Sequence, residues 1–198
     1  MISDMQANAV ARETKMASRI KRLFLRAFEY NDLDFINMLR NDDSLFELTC
    51  GNKYYISSER DRKWLEDKIF NNSNQLYLMI CSADDSRPVG YTSAVNIDYI
   101  NRKAEWSGIL IAGEFSGKGY GTECGSLVLN HLFGELGMNM VYAYVREGHS
   151  ASLRMVEKLG FQVNGLIRDF GFKRNHFFNV HIVTILKSEF EAAAKNLL

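Results

Sequence analysis

Only one proline, Pro88, occurs in 198 residues, and no Ser/Gly/Pro-rich stretch divides the chain. Separate domains would need such a linker, so the sequence predicts a polar arm at 1–18 followed by a single domain over 19–198. Cysteine is equally sparse: Cys50, Cys81 and Cys124 form no Cys-x-x-Cys pair, and their odd number argues against a disulfide framework and for a reducing compartment. The four histidines, His131, His149, His176 and His181, have no Cys or His partner at the usual ligand spacings, so no metal site is expected. Excess charge is absent too. Lys plus Arg and Asp plus Glu number 24 each, which removes the bulk attraction that a nucleic-acid partner would need. No apolar run approaches the roughly 20 residues that span a bilayer, and the N-terminus lacks a signal-peptide core. The expectation is a soluble, cytoplasmic chain with no membrane partner.

What is present is a globular composition, 46% apolar and 12% aromatic. Apolar alternation predicts strands at 22–28, 75–82, 88–97, 103–112, 138–145, 161–170 and 177–186. Helical spacing predicts helices from Leu33 through Leu39, over 57–71, over 122–133 and over 150–159, with a helical tail at 188–198. Asn31 and Asp32 stand where they could cap the first helix, and Gly160 terminates the fourth. Ahead of that tail the order is β-α-α-β-β-β-α-β-α-β-β. It describes a mixed α/β sheet flanked by helices, whose sharpest parallel crossover joins 103–112 to 138–145.

The most informative stretch is Ser116-Gly117-Lys118-Gly119-Tyr120-Gly121-Thr122, which leaves an apolar strand and opens a helix. Alternating glycines at such a junction bare backbone N–H groups at the positive end of the helix, which suits a phosphate. A Walker loop is excluded, because only three residues separate Gly113 from Gly117 and Gly119 stands where the magnesium-binding hydroxyl belongs. A dinucleotide fingerprint is excluded because the third glycine comes one residue early and Val141 and Tyr142 occupy the place of the ribose-binding carboxylate.

With Gly117-Lys118-Gly119-Tyr120-Gly121 after the fourth strand and Ser152-Leu153-Arg154-Met155-Val156-Glu157-Lys158-Leu159-Gly160-Phe161 after the fifth, residues 22–186 resemble the GNAT superfamily of acetyl-CoA-dependent N-acetyltransferases. The likeness is strongest to the branch of ribosomal-protein N-terminal and spermidine acetyltransferases. It implies a mostly antiparallel sheet with one splayed parallel pair, and acetyl-CoA as cosubstrate. The loop amides over Ser116, Gly117, Lys118, Gly119, Tyr120, Gly121 and Thr122 would hold the coenzyme A pyrophosphate. Ser116 departs from the family's Gln/Arg, and Lys118 either supplies the missing charge or is a solvated loop lysine. His149-Ser150-Ala151-Ser152 stands for the family's Asn-x-x-Ser beside the pantetheine. His149 departs, as a pocket-rim or capping residue or a catalytic one, and Ser152 matches.

The resemblance implies direct attack of a neutral amine on the thioester, through an oxyanion, with loss of thiolate. An α-amine of pKa about 8 needs little help near neutral pH, whereas an ammonium near 10.4 needs a base. Glu105 is the base candidate, against a salt-bridged surface residue. Leu110 or Ile111 offers the oxyanion N–H. Ser152, or a water, protonates the leaving group, since Val156 stands where many relatives carry tyrosine. The acceptor is expected to be a protein N-terminal amine or a small amine. A polyamine is disfavoured because Asp42, Asp43 and Glu47 are a sparse acidic set, and Tyr54, Tyr55, Trp64, Trp106, Asn179 and His181 are candidate contacts, each against a core or rim reading. The alternatives are an amino-sugar or antibiotic acceptor, or a non-catalytic coenzyme A-binding module. A homodimer through the last strands is also expected.

Overall fold

The computed structural model describes residues 22–52, 54–71 and 73–196, so the expected arm at 1–18 lies outside the described residues. Seven strands form one sheet in the order β1-β2-β3-β4-β5-β7-β6. They are β1 Leu23–Ala27, β2 Leu76–Ser82, β3 Pro88–Asp98, β4 Lys103–Ile111, β5 Met140–Arg146, β6 Gln162–Lys173 and β7 His176–Leu186. Every neighbouring pair is antiparallel except β4 and β5, which is the mixed sheet with one parallel pair that the sequence suggests. The helices are α1 Leu33–Asn41, α2 Asp43–Leu48, α3 Ser58–Phe70, α4 Tyr120–Asn130, α5 Ser150–Lys158 and α6 Lys187–Asn196.

Strand alternation sorts the side chains into two cores, one on each face of the sheet. On one face Ala104, Trp106, Val141, Ala143 and Val145 pack against Val128 and Leu132 from the α4 region and Val156 of α5. On the other, Met79, Cys81 and Tyr91 pack against Ile36, Leu39 and Leu65 of α1 and α3. The helices α1 and α3 are locked by a buried ion pair: Arg40 Nη1 donates to Asp61 Oδ1 at 2.6 Å, and Asn37 Nδ2 to Asp61 Oδ2 at 2.7 Å. Asp61 is fully buried, and these two donors make its burial tolerable.

Some local expectations change. Asp32 gives α1 no side-chain cap. Its carboxylate is drawn back to Arg26 at 2.7 and 2.8 Å and to the Glu29 N–H at 2.9 Å, because β1 presents a guanidinium there. Asn31 lies inside a short 3-10 turn, Tyr30–Asp32. The helix α2 went unpredicted: it is six residues long and is started by Asp42, which accepts from the Ser44 and Leu45 N–H groups. The third predicted helix is continued by a π turn over His131–Glu135.

A bulge prepares the centre of the sheet. Ser93 pairs with Gly108 and Ala94 with Trp106, leaving Ser107 as an extra residue on β4, followed by Gly108 at φ +123°. Trp106 Nε1 donates to Thr92 Oγ1 at 2.9 Å, and that hydroxyl donates to the Gly108 carbonyl at 2.9 Å, fixing the bulge from inside the core. Bulges add twist and bend their strand. The β4–β5 ladder runs only from Lys103–Met140 to Glu105–Tyr142, although the strands continue to Ile111 and Arg146. Past Glu105 the two strands separate and leave a wedge.

Gly90 faces this kinked stretch of β4, where a Cβ would stand 2.0 Å from the Leu110 carbonyl oxygen. The obstacle is backbone rather than a movable side chain. Gly90→Ala is expected to lower stability by at least about 2 kcal/mol. An unchanged urea midpoint would contradict the close approach of β3 and β4.

Candidate active site

The wedge is bordered by the glycine loop on one side and the start of α5 on the other. After Ile111 the chain makes a 3-10 turn at Gly113–Phe115 and enters α4 through Gly119, the N-cap, at φ +82°. Gly117 also has positive φ, +74°, where side-chain-bearing residues are strained. Gly119 gives no side-chain cap, and the first helical bond is Glu123 N–H to the Gly119 carbonyl at 3.2 Å. The amides of Tyr120, Gly121 and Thr122 therefore have no acceptor within the helix. A Cβ on Gly117 would meet nothing within 4 Å, so the loop has open space beside its donors. A pyrophosphate fits this arrangement. Gly121 also has a packing role, since a Cβ there would stand 2.7 Å from Met155 Sδ of α5. Gly125, which the sequence reading passed over, brings α4 onto Trp106 and Leu159.

The Ala112 N–H donates to the Val89 carbonyl at 2.9 Å, and Tyr91 pairs with Leu110 in the same ladder. Alternation along an antiparallel ladder commits the Leu110 N–H to β3 and turns the Ile111 N–H toward the wedge. Of the two expected oxyanion donors, Ile111 has the amide on the open side.

Glu105 is the last residue of β4 paired to β5, at the apex of the wedge, and shares a sheet face with its partner Tyr142. Its Oε2 accepts from Asn96 Nδ2 at 2.9 Å. Asn96 has φ +51° within an irregularity of the β3–β4 register, and this turns it toward β4. The Tyr142 phenol lies against both Glu105 and Asn96; burial and the Glu105 charge raise it above its ordinary 10. Rings continue from Tyr142 to Tyr144 at 6.0 Å and from Tyr144 to Phe170 at 5.0 Å. Sequence reading missed Asn96 and Tyr142, although a strand polar residue and a tyrosine facing away from the Val141/Ala143/Val145 core were the available signals.

Across the wedge, His149 caps α5: its Nδ1 accepts from the Ser152 N–H at 3.4 Å. Ser152 lies in that first turn, and Val156 is in the core. Burial and the charge of Arg146 hold the His149 imidazole below its ordinary 6.5. The unfolded chain therefore takes up a proton first, and the stability carried by neutral His149 is present above about 6.5 and lost as pH falls toward the folded value. Thermal midpoints should drop below about pH 6.5 less steeply in His149→Asn, which keeps a capping oxygen without titrating. Parallel curves for the two proteins would contradict this.

Above the Glu105 face lies α2. Lys173 Nζ donates to the Phe46 carbonyl, the Thr49 carbonyl at 2.5 Å and Thr49 Oγ1 at 3.3 Å, and Arg146 Nη1 donates to the Glu47 carbonyl. Burial, helped by Arg146, lowers the Lys173 ammonium to about 8. Two of the sparse acidic set are spent on structure, with Asp42 capping α2 and Glu47 paired to Arg174 at 2.5 Å. Trp106 is 2% exposed in the core behind the bulge and cannot contact an acceptor; its indole was needed to fix Thr92. Trp64 belongs to a ring cluster with Phe28 and Tyr77, while Tyr54 and Tyr55 are exposed. His181 is paired with Val145 in the β5–β7 ladder. Asn179 bridges the Asp169 N–H and the Glu147 carboxylate at 2.9 Å each.

Burial raises all three thiols, Cys124 to about 12. None has the lowered pKa of an acyl-accepting thiolate. Among the described residues no group of three or more His, Cys, Asp or Glu could hold a metal ion, and no helix is long and apolar enough to cross a membrane.

Residues 22–162 match the acetyltransferase (GNAT) domain family. The chain is 27% identical over 172 residues to spermidine N(1)-acetyltransferase of Escherichia coli, covering 86% of this chain and 89% of that protein. It is 34% identical over 107 residues to a putative ribosomal N-acetyltransferase of Bacillus subtilis, covering 54% and 58%. The crystal structure of spermidine N-acetyltransferase from Vibrio cholerae in complex with CoA and spermine superposes with a TM-score of 0.80 at 26% identity, covering 86% of this chain and 98% of that one.

Proposed function

We propose, for a chain that belongs to the GNAT acetyltransferase family and is an acetyl-CoA-dependent N-acetyltransferase, that the acceptor is a small cationic amine of the polyamine kind, acetylated by direct attack. The observation that carries this is Glu105 at the apex of the wedge, on the face lined by Tyr142, Tyr144 and Phe170. Ring faces attract ammonium groups, and a carboxylate at the end of such a row can take the proton that an ammonium must lose. Coenzyme A supplies the acetyl group as a thioester when bound. The loop from Ser116 to Thr122 holds its pyrophosphate, with Lys118 adding charge at the rim. Ile111 N–H donates to the developing oxyanion, His149 shapes the rim beside the pantetheine by ordering the first turn of α5, and Ser152 donates to the departing sulfur.

This reading favours a polyamine despite the sparse acidic set, because the aromatic row provides an alternative means of holding cations. Steady-state acetylation of spermidine, spermine, N-terminal peptides, amino sugars and aminoglycosides tests it. The reading predicts the highest kcat/KM for a linear polyamine, and a preference for a peptide N-terminus would replace it.

The same reading includes a homodimer. The edge strand β6 and its hairpin expose Val163, Leu166, Phe172 and Phe177. Unpaired apolar edges invite pairing with a second copy. Light scattering should give twice the chain mass, reduced by Phe172→Glu; a monomer at micromolar concentration would remove the dimer.

A further inference from the structure

Ser116 stands where the family has Gln or Arg, and a residue far away in sequence reaches the same loop. Arg22, at the entry to β1, donates from Nη1 to the Lys118 carbonyl at 3.0 Å and from Nε to Glu123 Oε2 at 2.9 Å. Its Nη2 pairs with the same Oε2 at 2.9 Å, while the N–H groups of Arg22 and Leu23 hold Oε1 at 2.7 and 3.1 Å. The guanidinium carbon lies 4.7 Å from the centre of the Tyr120 ring.

Two consequences follow. A carboxylate in the first turn of α4 steadies an empty helix terminus but repels a phosphate placed there, and Arg22 neutralises Glu123. The peptide between Lys118 and Gly119 is planar and trans, so its C=O and N–H point in opposite directions. Fixing the Lys118 carbonyl on Arg22 therefore aims the Gly119 N–H away from Arg22.

We propose that Arg22 is a positioning residue for the coenzyme pyrophosphate: it orients the Gly119 amide and masks Glu123. The proposal rests on the glycine loop being the pyrophosphate site. Acetyl-CoA and S-acetylpantetheine test both levels, because the second donor carries the thioester and pantetheine arm without the pyrophosphate. In the full-length chain, Arg22→Ala should raise KM for acetyl-CoA by about tenfold or more, with kcat at saturation and KM for S-acetylpantetheine unchanged. Arg22→Lys keeps a cation near Glu123 but loses the planar fork, and should give a smaller rise confined to acetyl-CoA. It serves in place of Arg22→Ala if that variant does not fold. Equal rises for the two donors would mean a merely structural residue and overturn the proposal, as would an unchanged acetyl-CoA KM. A wild-type chain that does not distinguish the two donors would overturn the loop assignment and the proposal with it.

Discussion

Glu105→Gln is expected to lower kcat by about 10²-fold or more while leaving coenzyme A affinity within about twofold, because the substitution removes a base and not a phosphate contact. Glutamine preserves the length and planarity of the side chain beside Asn96 and Tyr142. What it lacks is a carboxylate able to accept a proton from an ammonium that, at a pKa near 10.4, is almost wholly charged at neutral pH. The deficit should therefore shrink as pH rises and more of the amine is already free. Rate profiles for wild type and variant, with calorimetric binding of coenzyme A, check both parts. An unchanged kcat at neutral pH would make Glu105 a surface carboxylate with no part in the reaction.

Gly119→Val is expected to act on the opposite side of the wedge. Gly119 sits at φ +82° as the N-cap of α4, and a β-branched residue there is strained whatever the surrounding space. Holding that conformation costs about 2 kcal/mol, so the loop relaxes and its amides lose their common direction, weakening coenzyme A about 30-fold. The variant should still fold, with a stability loss no larger than that strain, since Gly119 is exposed and a Cβ there meets nothing closer than Arg22 Nη2 at 3.6 Å. Calorimetry showing wild-type affinity in a folded variant would mean that the loop does not hold the pyrophosphate. The two substitutions thus separate coenzyme binding from acceptor activation.

The elements that position these residues were legible where a single physical signal dominated. Alternation of Val141, Ala143 and Val145 marked β5, and the glycines marked the junction into α4. The parallel pair could be named, and its splaying rested on family resemblance. The Ser107 bulge was hidden, since it depends on Thr92 and Trp106 meeting across two strands. Of the two readings open for Trp106, core residue or acceptor contact, the structure gives the first, with its polar indole edge satisfied inside the core. Arg22 was passed over because its partners lie about a hundred positions away, and no local pattern announces such a contact. Asp32 shows the converse, a good capping residue taken by a nearer arginine.

On this reading the chain moves acetyl groups from acetyl-CoA to a small amine. The most direct measurement follows free thiol released from acetyl-CoA with and without spermidine, and the mass of the amine recovered. Spermidine-dependent thiol release is expected, with one acetyl group gained by a primary nitrogen for each thiol. Tight acetyl-CoA binding without thiol release for any amine in the acceptor panel would contradict it, and would make the wedge the site of a coenzyme-binding module.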